Sequence, residues 1–511
     1  MAAHDGAMTK PPEQQTLSIQ KAIDLAVEHH SAGRLSDAEY IYQQILQTEP
    51  SQPVALRLLG TLAHQVGKND IAIDLLTKAL ANNPGDAEAH NNLGYAFQAL
   101  GKLDDAVASY RKALAIDPNY ADAHCNLGNA YNELGKTNDA VAGYRKAIAI
   151  NPDYANAHSN LGLALRDLGK LDEAAASCQR ALAIKPDSAA AHLNHSLILL
   201  LQGNLKEGWE EFEWGLKIEN GKRAYTLQAE MWPGSSLHGK SILVHAEQGV
   251  GDEIMFASCV GDLMERSPGK LYLECDPRLE ALFSRSFPGV HVHGKTKDVD
   301  LSWLGENVRP DFALPIGSLP KFFRNSVAEF PERDAYLTPD PALVEKWRKR
   351  LAGLKCGLKI GISWKGGTEA NVIKRASIPL PQWRSLLSMD ATFINLQYGD
   401  VTEDFAALGD VHIHDWGDND PLTDLDNQAA LISCLDLVIT IDNVTVHMAG
   451  ALGTKTWALL EKVPDWRWPE SFGDSPPLYR SVSLFRQKRL YEWGDTLKRV
   501  ETALRQRIDQ S

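Results

Sequence analysis

What this chain lacks narrows it first. No window approaches 18 uninterrupted apolar residues, so no membrane-spanning helix is expected. The opening residues, "MAAHDGAMTKPPEQQ", have neither an apolar core nor a cleavage site, so no secretory signal is expected there. Cysteine is sparse: six residues, at 125, 178, 259, 275, 356 and 434, with no Cys-x-x-Cys pair. That pattern argues against a zinc site or a disulfide framework and for reduced thiols. Basic residues are outnumbered, 52 Lys and Arg against 66 Asp and Glu. A formal net charge of −14 leaves no broad footprint for nucleic acid, although a local basic pocket stays open. The Gly-x-Gly at 249–251 is not a phosphate loop of the Gly-x4-Gly-Lys-Ser/Thr type. The expectation is a soluble cytoplasmic protein, and 511 residues suggest about two to four domains.

What the chain has in abundance is repetition. Residues 87–120, "AEAHNNLGYAFQALGKLDDAVASYRKALAIDPNY", align without gaps on the next two blocks of 34. Glycine returns in register at 33, 67, 101, 135, 169 and 203. Proline returns at 50, 84, 118, 152 and 186, and a small residue at 38, 72, 106, 140, 174 and 208. Each unit reads as two amphipathic helices joined by a turn that needs glycine. The small residue permits close packing, and proline ends the second helix. This is the tetratricopeptide pattern, and it predicts an all-α solenoid over 19–221 behind a flexible N-terminus, 1–18, with less regular outer units as caps.

Two columns of the repeat carry polar side chains. Asn92, Asn126, Asn160 and Asn194 occupy its sixth position, on the first helix of each unit, the helices that line the concave face. An asparagine amide offers a donor and an acceptor, as a peptide unit does, so a ladder of them can hold an extended acceptor protein by its backbone. The alternative is that these amides satisfy neighbouring backbone groups. The column resembles the asparagine ladder of the eukaryotic O-linked N-acetylglucosamine transferase. Histidines 90, 124, 158 and 192 replace the aromatic at the fourth position and are expected to pack between units rather than to bind metal.

Beyond "GKRAYTLQAEMWPGSSLHGK" (221–240) the period changes, and short apolar runs alternate with helical stretches. "SILVHAE", a helix over 252–266, "KLYLEC" and a helix over 277–286 begin one set. A helix over 341–352 precedes a second: "LKIGISWKGG", a helix over 380–388, "TFINLQYG", a helix over 425–434, "LDLVITID", a helix from about 443, and "KTWALLE". The alternation predicts parallel sheets in two doubly wound α/β halves, 222–340 and 341–511. Ligands of such sheets bind at the carboxyl ends of strands.

Three predicted strand ends are polar. In "HAEQGVGDEIMF" (245–256), Gly249 and Gly251 precede a helix that carries Asp252 at its mouth, either as a cap or facing the cleft. In "SWKGGTEANVIKRAS" (363–377), Lys365, Lys374 and Arg375 bring positive charge and flexible backbone, suited to a phosphate. In "TIDNVTVHMAGALGTKTW" (440–457), a buried strand turns into a helix at Asp442, Asn443, Thr445 and His447. The first turn of such a helix presents amides and partial positive charge, an anion site suited to a nucleotide phosphate. Asp442 fits there as a helix cap or as an acceptor for a sugar hydroxyl or a lysine. The bland reading is a structural cap beside a packed histidine.

"QGVGDEIMF", "ISWKGG" and "IDNVTVHMAGALGTKTWALL", with "PDWRWPE" and "SLFRQ" further on, resemble the heptosyltransferase-type branch of GT-B glycosyltransferases, over about 240–490. Asn443-Val444 departs from the Thr-Gly common there. Joined to a tetratricopeptide solenoid, this half is similar to bacterial protein glycosyltransferases that modify flagellin. The resemblance implies a GT-B fold of two Rossmann-like halves, the first for the acceptor and the second for the donor. It implies an inverting transfer of a sugar, a nonulosonic acid from its CMP donor, to Ser or Thr of flagellin, with no metal and no cofactor besides the nucleotide-sugar co-substrate. Asp252 is then the catalytic base, and Gly249, Gly251, Lys365, Gln397, Asp442, Asn443, Thr445 and His447 bind the donor. Two other readings remain: a non-catalytic scaffold or chaperone with a degenerate transferase-like half, and an enzyme for a small saccharide or lipid acceptor. Homo-oligomerisation stays open.

Overall fold

The computed structural model describes residues 18–219, 229–247, 249–295, 301–305, 308–366, 377–490 and 492–510. Lys374 and Arg375 lie outside the described residues. By packing, the chain divides into two compact units, Met1–Asn160 and Leu161–Ser511.

In the first unit helices succeed one another in pairs: Ile19–Ser31 with Leu35–Thr48, Pro53–Gln65 with Asn69–Asn82, Ala87–Ala99 with Leu103–Ile116, Ala121–Glu133 with Thr137–Ile150. The six in-register glycines, the last two in the second unit, all have positive φ, from 70° to 84°. Only a residue without Cβ takes that conformation at little cost, so glycine sets the turn. The small-residue column is fully buried at Ala38, Ala72, Ala106 and Ala140. Within a pair the helices touch so closely that a Cβ on Gly94 or Gly128 would lie 2.7 Å from the ring of Tyr110 or Tyr144.

The second unit holds the last repeat helices and two parallel sheets. The first sheet contains β1 (Glu230–Met231), β2 (Ser241–His245), β3 (Lys270–Cys275), β4 (His291–Gly294) and β5 (Phe312–Pro315), in the order β1-β5-β2-β3-β4. The second contains β6 (Lys359–Ser363), β7 (Thr392–Asn395), β8 (Leu437–Ile441), β9 (Thr456–Leu460) and β10 (Val482–Arg486), in the order β10-β9-β8-β6-β7. Every strand pairing in both is parallel. The strands are β-branched and leucine-rich with nearly unbroken burial, as expected where helices cover both faces. The chain reverses direction of travel across the sheet beside β2 and beside β6. At such switch points diverging loops open a crevice.

Several expected helices are shorter than their patterns. The stretch 252–266 is a helix Val250–Phe256, a 3-10 turn and a second helix Val260–Glu265. The stretch 380–388 is a 3-10 turn Leu380–Trp383 followed by Arg384–Leu387. The packing division also falls elsewhere than at 221, inside the helix Ala155–Asp167. The physical reason is the helix Leu205–Phe212. Its Trp209 and Phe212 join the core that also holds Trp232, Phe256 and Trp468 of the sheet region. No helix among the described residues is long and apolar enough to cross a membrane.

Candidate functional site

The carboxyl ends of β2 and β8 bring two helix starts together. A methyl added at Gly251, in the helix after β2, would sit 3.4 Å from the His447 ring and 3.8 Å from the Cα of Val444, both in the helix after β8. Neither Gly249 nor Gly251 has positive φ, so their use is close approach rather than backbone freedom. Gly249 is the N-cap residue of its helix, which has no side-chain cap. Asp252 is therefore not spent on capping. Its Oδ1 accepts from Nε of Arg467 at 3.0 Å and also from Nη2. Its Oδ2 has no hydrogen-bond partner among the described residues.

Arg467 lies in the loop after β9 and is the residue the strand-end reading missed. Its Nη1 and backbone N–H donate to Asp465, and its guanidinium lies 4.4 Å from the centre of the Trp466 ring. Burial opposes its charge, yet Asp465, Asp252 and Asp442 outweigh burial and hold it more firmly protonated than an ordinary arginine. The available signal was "DWRW" within "PDWRWPE": alternating charge and tryptophan just past a strand's carboxyl end.

Around this pair the remaining expected residues take distinct places. Asn443, not Asp442, caps the helix Val444–Ala451, accepting from the Thr445 N–H at 3.0 Å. Its Nδ2 donates to Ser363 Oγ at 2.8 Å and to the Lys365 carbonyl at 3.0 Å. Asn443 thus joins the ends of β6 and β8 and has no amide hydrogen left for a ligand. The Val446 N–H is also taken, by the Asn443 carbonyl at 3.1 Å. The expected row of free first-turn amides is accordingly reduced. Gln397 is 3% exposed and works in the same way. Its Oε1 accepts from Ser363 Oγ, Trp364 N and Lys365 N at 2.8–3.0 Å, fixing the loop after β6. A binding role for Gln397 or Asn443 is therefore exercised through the loop they shape. Lys365 turns its ammonium to Asp404, whose carboxylate is little exposed. Thr445 is buried, and its hydroxyl has no partner among the described residues.

His447 is buried, with Nδ1 3.0 Å from the Tyr479 hydroxyl and its ring stacked at 5.6 Å on Trp468. Burial, and then Arg467, push its pKa down to about 3, so the imidazole is neutral and any donation to an anion comes from a neutral ring N–H. Asp442 is the opposite case. Burial, and then Asp465, push its carboxyl up to about 7 against the pull of Arg467.

These two shifts have opposite signs in the pH dependence of stability. Asp442 contributes stability that is full below about pH 4 and is lost as pH rises through about 7. His447 contributes stability that is full above about pH 6.5 and is lost as pH falls through about 3. Across the shared window the two slopes offset each other. Asp442→Asn removes one of them, so the melting temperature of the variant minus that of the wild type should rise from pH 5 to pH 8. A difference that falls over that range would mean that ionised Asp442 stabilises the fold.

In the repeats the asparagine column is half-buried, and its amides are already engaged. Asn92 Nδ2 donates to Thr61 Oγ1 at 2.9 Å, Asn126 Nδ2 to Asn91 Oδ1 at 3.1 Å, and Asn160 Nδ2 to Asn129 Oδ1 at 2.9 Å. Asn194 is engaged as well. For the first three, one of the two amide N–H groups is given to a side chain of the preceding repeat, because position six faces the neighbouring first helix. The histidine column lies at the junction between successive units. His90, His124, His158 and His192 each place Nε2 within 2.9–3.1 Å of the carbonyl of the repeat's proline six residues earlier, securing the turn before their own helix.

The described geometry can be set beside known proteins. Family models described as tetratricopeptide repeat match residues 75–108, 97–135, 128–165 and 155–188. The chain therefore carries tetratricopeptide repeats, followed by a region of parallel sheets. Protein FlbA of Caulobacter vibrioides is 34% identical over 317 residues, 58% of this chain and 52% of that protein. The chain thus spans about half the length of this curated relative. Among solved structures, MamA is 29% identical over 32% of this chain and 97% of its own, with a TM-score of 0.30. A tetratricopeptide protein of Thermus thermophilus is 26% identical over 36% of this chain and 100% of its own, with a TM-score of 0.33.

Proposed function

We propose that this chain is a cytoplasmic protein O-glycosyltransferase of the GT-B, metal-independent, inverting kind. In this reading the repeats hold the acceptor protein, flagellin, and the sheet region transfers a nonulosonic acid from a CMP donor to a Ser or Thr hydroxyl. The observation that carries the reading is the meeting of Asp252, after β2 of one sheet, with Arg467, after β9 of the other. A carboxylate with one unpartnered oxygen suits a general base for a hydroxyl, and a guanidinium suits a phosphate leaving group. With the neighbouring helix start, Arg467 would stabilise charge as it develops on the departing phosphate. The resemblance of 240–490 to heptosyltransferase-type enzymes supports the same assignment.

A groove of about 490 Å³ also supports it. The groove lies between Gly169, Asp172 and Asn204 of the last repeats and Lys462, Glu470 and Ser471 of the loop that carries Arg467. The groove offers room for a segment of an acceptor polypeptide beside the loop that carries Arg467.

The test is the intact mass of flagellin from host cells with and without the gene. The expected result is a loss of mass in multiples of one sugar residue, and an unchanged mass removes flagellin as acceptor. One observation favours a second reading, an enzyme for a small saccharide or lipid acceptor whose repeats serve only assembly: Asn92, Asn126 and Asn160 each give an amide N–H to the preceding repeat. Replacing Asn126 and Asn160 together by alanine separates the two. If their carbonyl oxygens grip a polypeptide, transfer to the protein acceptor falls by roughly tenfold or more, at about one net hydrogen bond per site. Hydrolysis of the donor in the absence of acceptor stays unchanged. Equal transfer by the variant, at an unchanged melting temperature, removes the ladder from substrate binding.

A further inference from the structure

We propose that the Arg467–Asp252 ion pair is a latch that the donor opens: the nucleotide's phosphate takes the guanidinium from Asp252 and thereby releases the carboxylate to act as base. This rests on the glycosyltransferase reading above, and it adds a phosphate-binding residue and an order of events to it.

The geometry is that of an occupied anion site. Arg467 gives Nε and Nη2 to one carboxylate and Nη1 to another. The planar fork that grips a carboxylate also matches a phosphate, so the two anions are direct competitors for it. The face of Trp466 fixes the guanidinium plane from one side. Both charged partners are largely shielded, with side chains 18% and 17% exposed, so the fork is not simply solvated surface.

The partners differ in how easily they can leave. Asp465 is two residues from Arg467 in the same loop and moves with it. Asp252 is 215 residues away in sequence, on the helix that follows a strand of the other sheet. Relative displacement of the two halves therefore separates Arg467 from Asp252 and leaves Asp465 in place. Charge couples phosphate entry to the departure of a carboxylate. Asp252, Asp442 and Asp465 surround one guanidinium, so an entering phosphate meets a field that opposes it until a carboxylate withdraws. No covalent bond changes in the exchange: one ion pair replaces another, and the freed carboxylate keeps its charge.

Linkage gives a test that needs no turnover. If phosphate displaces Asp252, then removing the charge of Asp252 must favour phosphate to the same extent. Binding of CMP and of cytidine is measured by calorimetry on the full chain and on Asp252→Asn and Arg467→Gln variants. Asp252→Asn should bind CMP about tenfold more tightly than wild type, with cytidine unchanged. Arg467→Gln should lose most of the advantage of CMP over cytidine. If Asp252→Asn binds CMP no more tightly than a CMP-binding wild type, the pair is a fixed bridge between the halves, and the proposal falls while the transferase reading stands. If the wild type binds none of CMP, UMP or GMP, the nucleotide reading fails and the latch with it. Asp252→Asn conserves shape, so it decides the matter even if Arg467→Gln melts early.

Discussion

On the proposed transferase reading, Asp252→Asn is expected to lower sugar transfer by roughly a hundred- to ten-thousand-fold, the range associated with a positioned general base. Asparagine keeps the shape, and its amide oxygen can still accept from Arg467, but it cannot take a proton from an acceptor hydroxyl. Nucleotide binding survives, and on the latch model it tightens. The measurement is time-resolved mass of the acceptor protein with the donor in excess, paired with nucleotide binding. Since Gly249 is the N-cap and the helix has no side-chain cap, loss of helix capping is not available as an explanation for a large effect. A variant with normal turnover would reduce Asp252 to a partner for Arg467.

Trp209→Ala destabilises the second unit by about 3–5 kcal/mol, the usual cost of emptying a buried tryptophan site. The indole is 6% exposed and meets Phe212, Phe256 and Trp466 edge-on at 5.8, 6.4 and 5.6 Å. Its Nε1–H donates to the Arg324 carbonyl at 2.9 Å, so truncation also strands a buried acceptor. These contacts join the last repeat helix to the sheet region and support the Trp466–Arg467 loop from below. The check is hydrogen exchange with increasing denaturant. Protection should fall throughout β2–β10 while the helices from 19 to 150 keep theirs. A change of less than 1 kcal/mol, or one confined to the Leu205–Phe212 helix, would mean the repeats end independently of the sheets.

Several features of the site were legible because they are local. Gly-Val-Gly-Asp after an apolar run and Asp-Asn-Val-Thr-Val-His after another marked two strand-to-helix turns, and both turns are present and abut. What each side chain does there was less legible. Asn443 was read as a donor-binding residue; its Oδ1 caps the helix by accepting from the Thr445 N–H, and its Nδ2 reaches Ser363, 80 residues away. His447 was read as a donor to an anion. Burial beside Tyr479 and Trp468 leaves it neutral. The asparagine ladder was correctly placed along the first helices, yet its amides turn to the preceding repeat.

By itself the sequence determined the elements that depend on near neighbours. The 34-residue period fixed the helical hairpins, since a glycine at positive φ and a small buried residue are demands of the local backbone. The alternation of buried strands and helices fixed parallel sheets, which need covered faces and crossover connections. Only the tertiary structure decided which charges meet. It set Arg467 against Asp252, Lys365 against Asp404, and Trp209 against the sheet core. The reason is physical: an ion pair depends on distance and burial, and both are set by packing between segments from tens to more than two hundred residues apart, which no local spacing encodes.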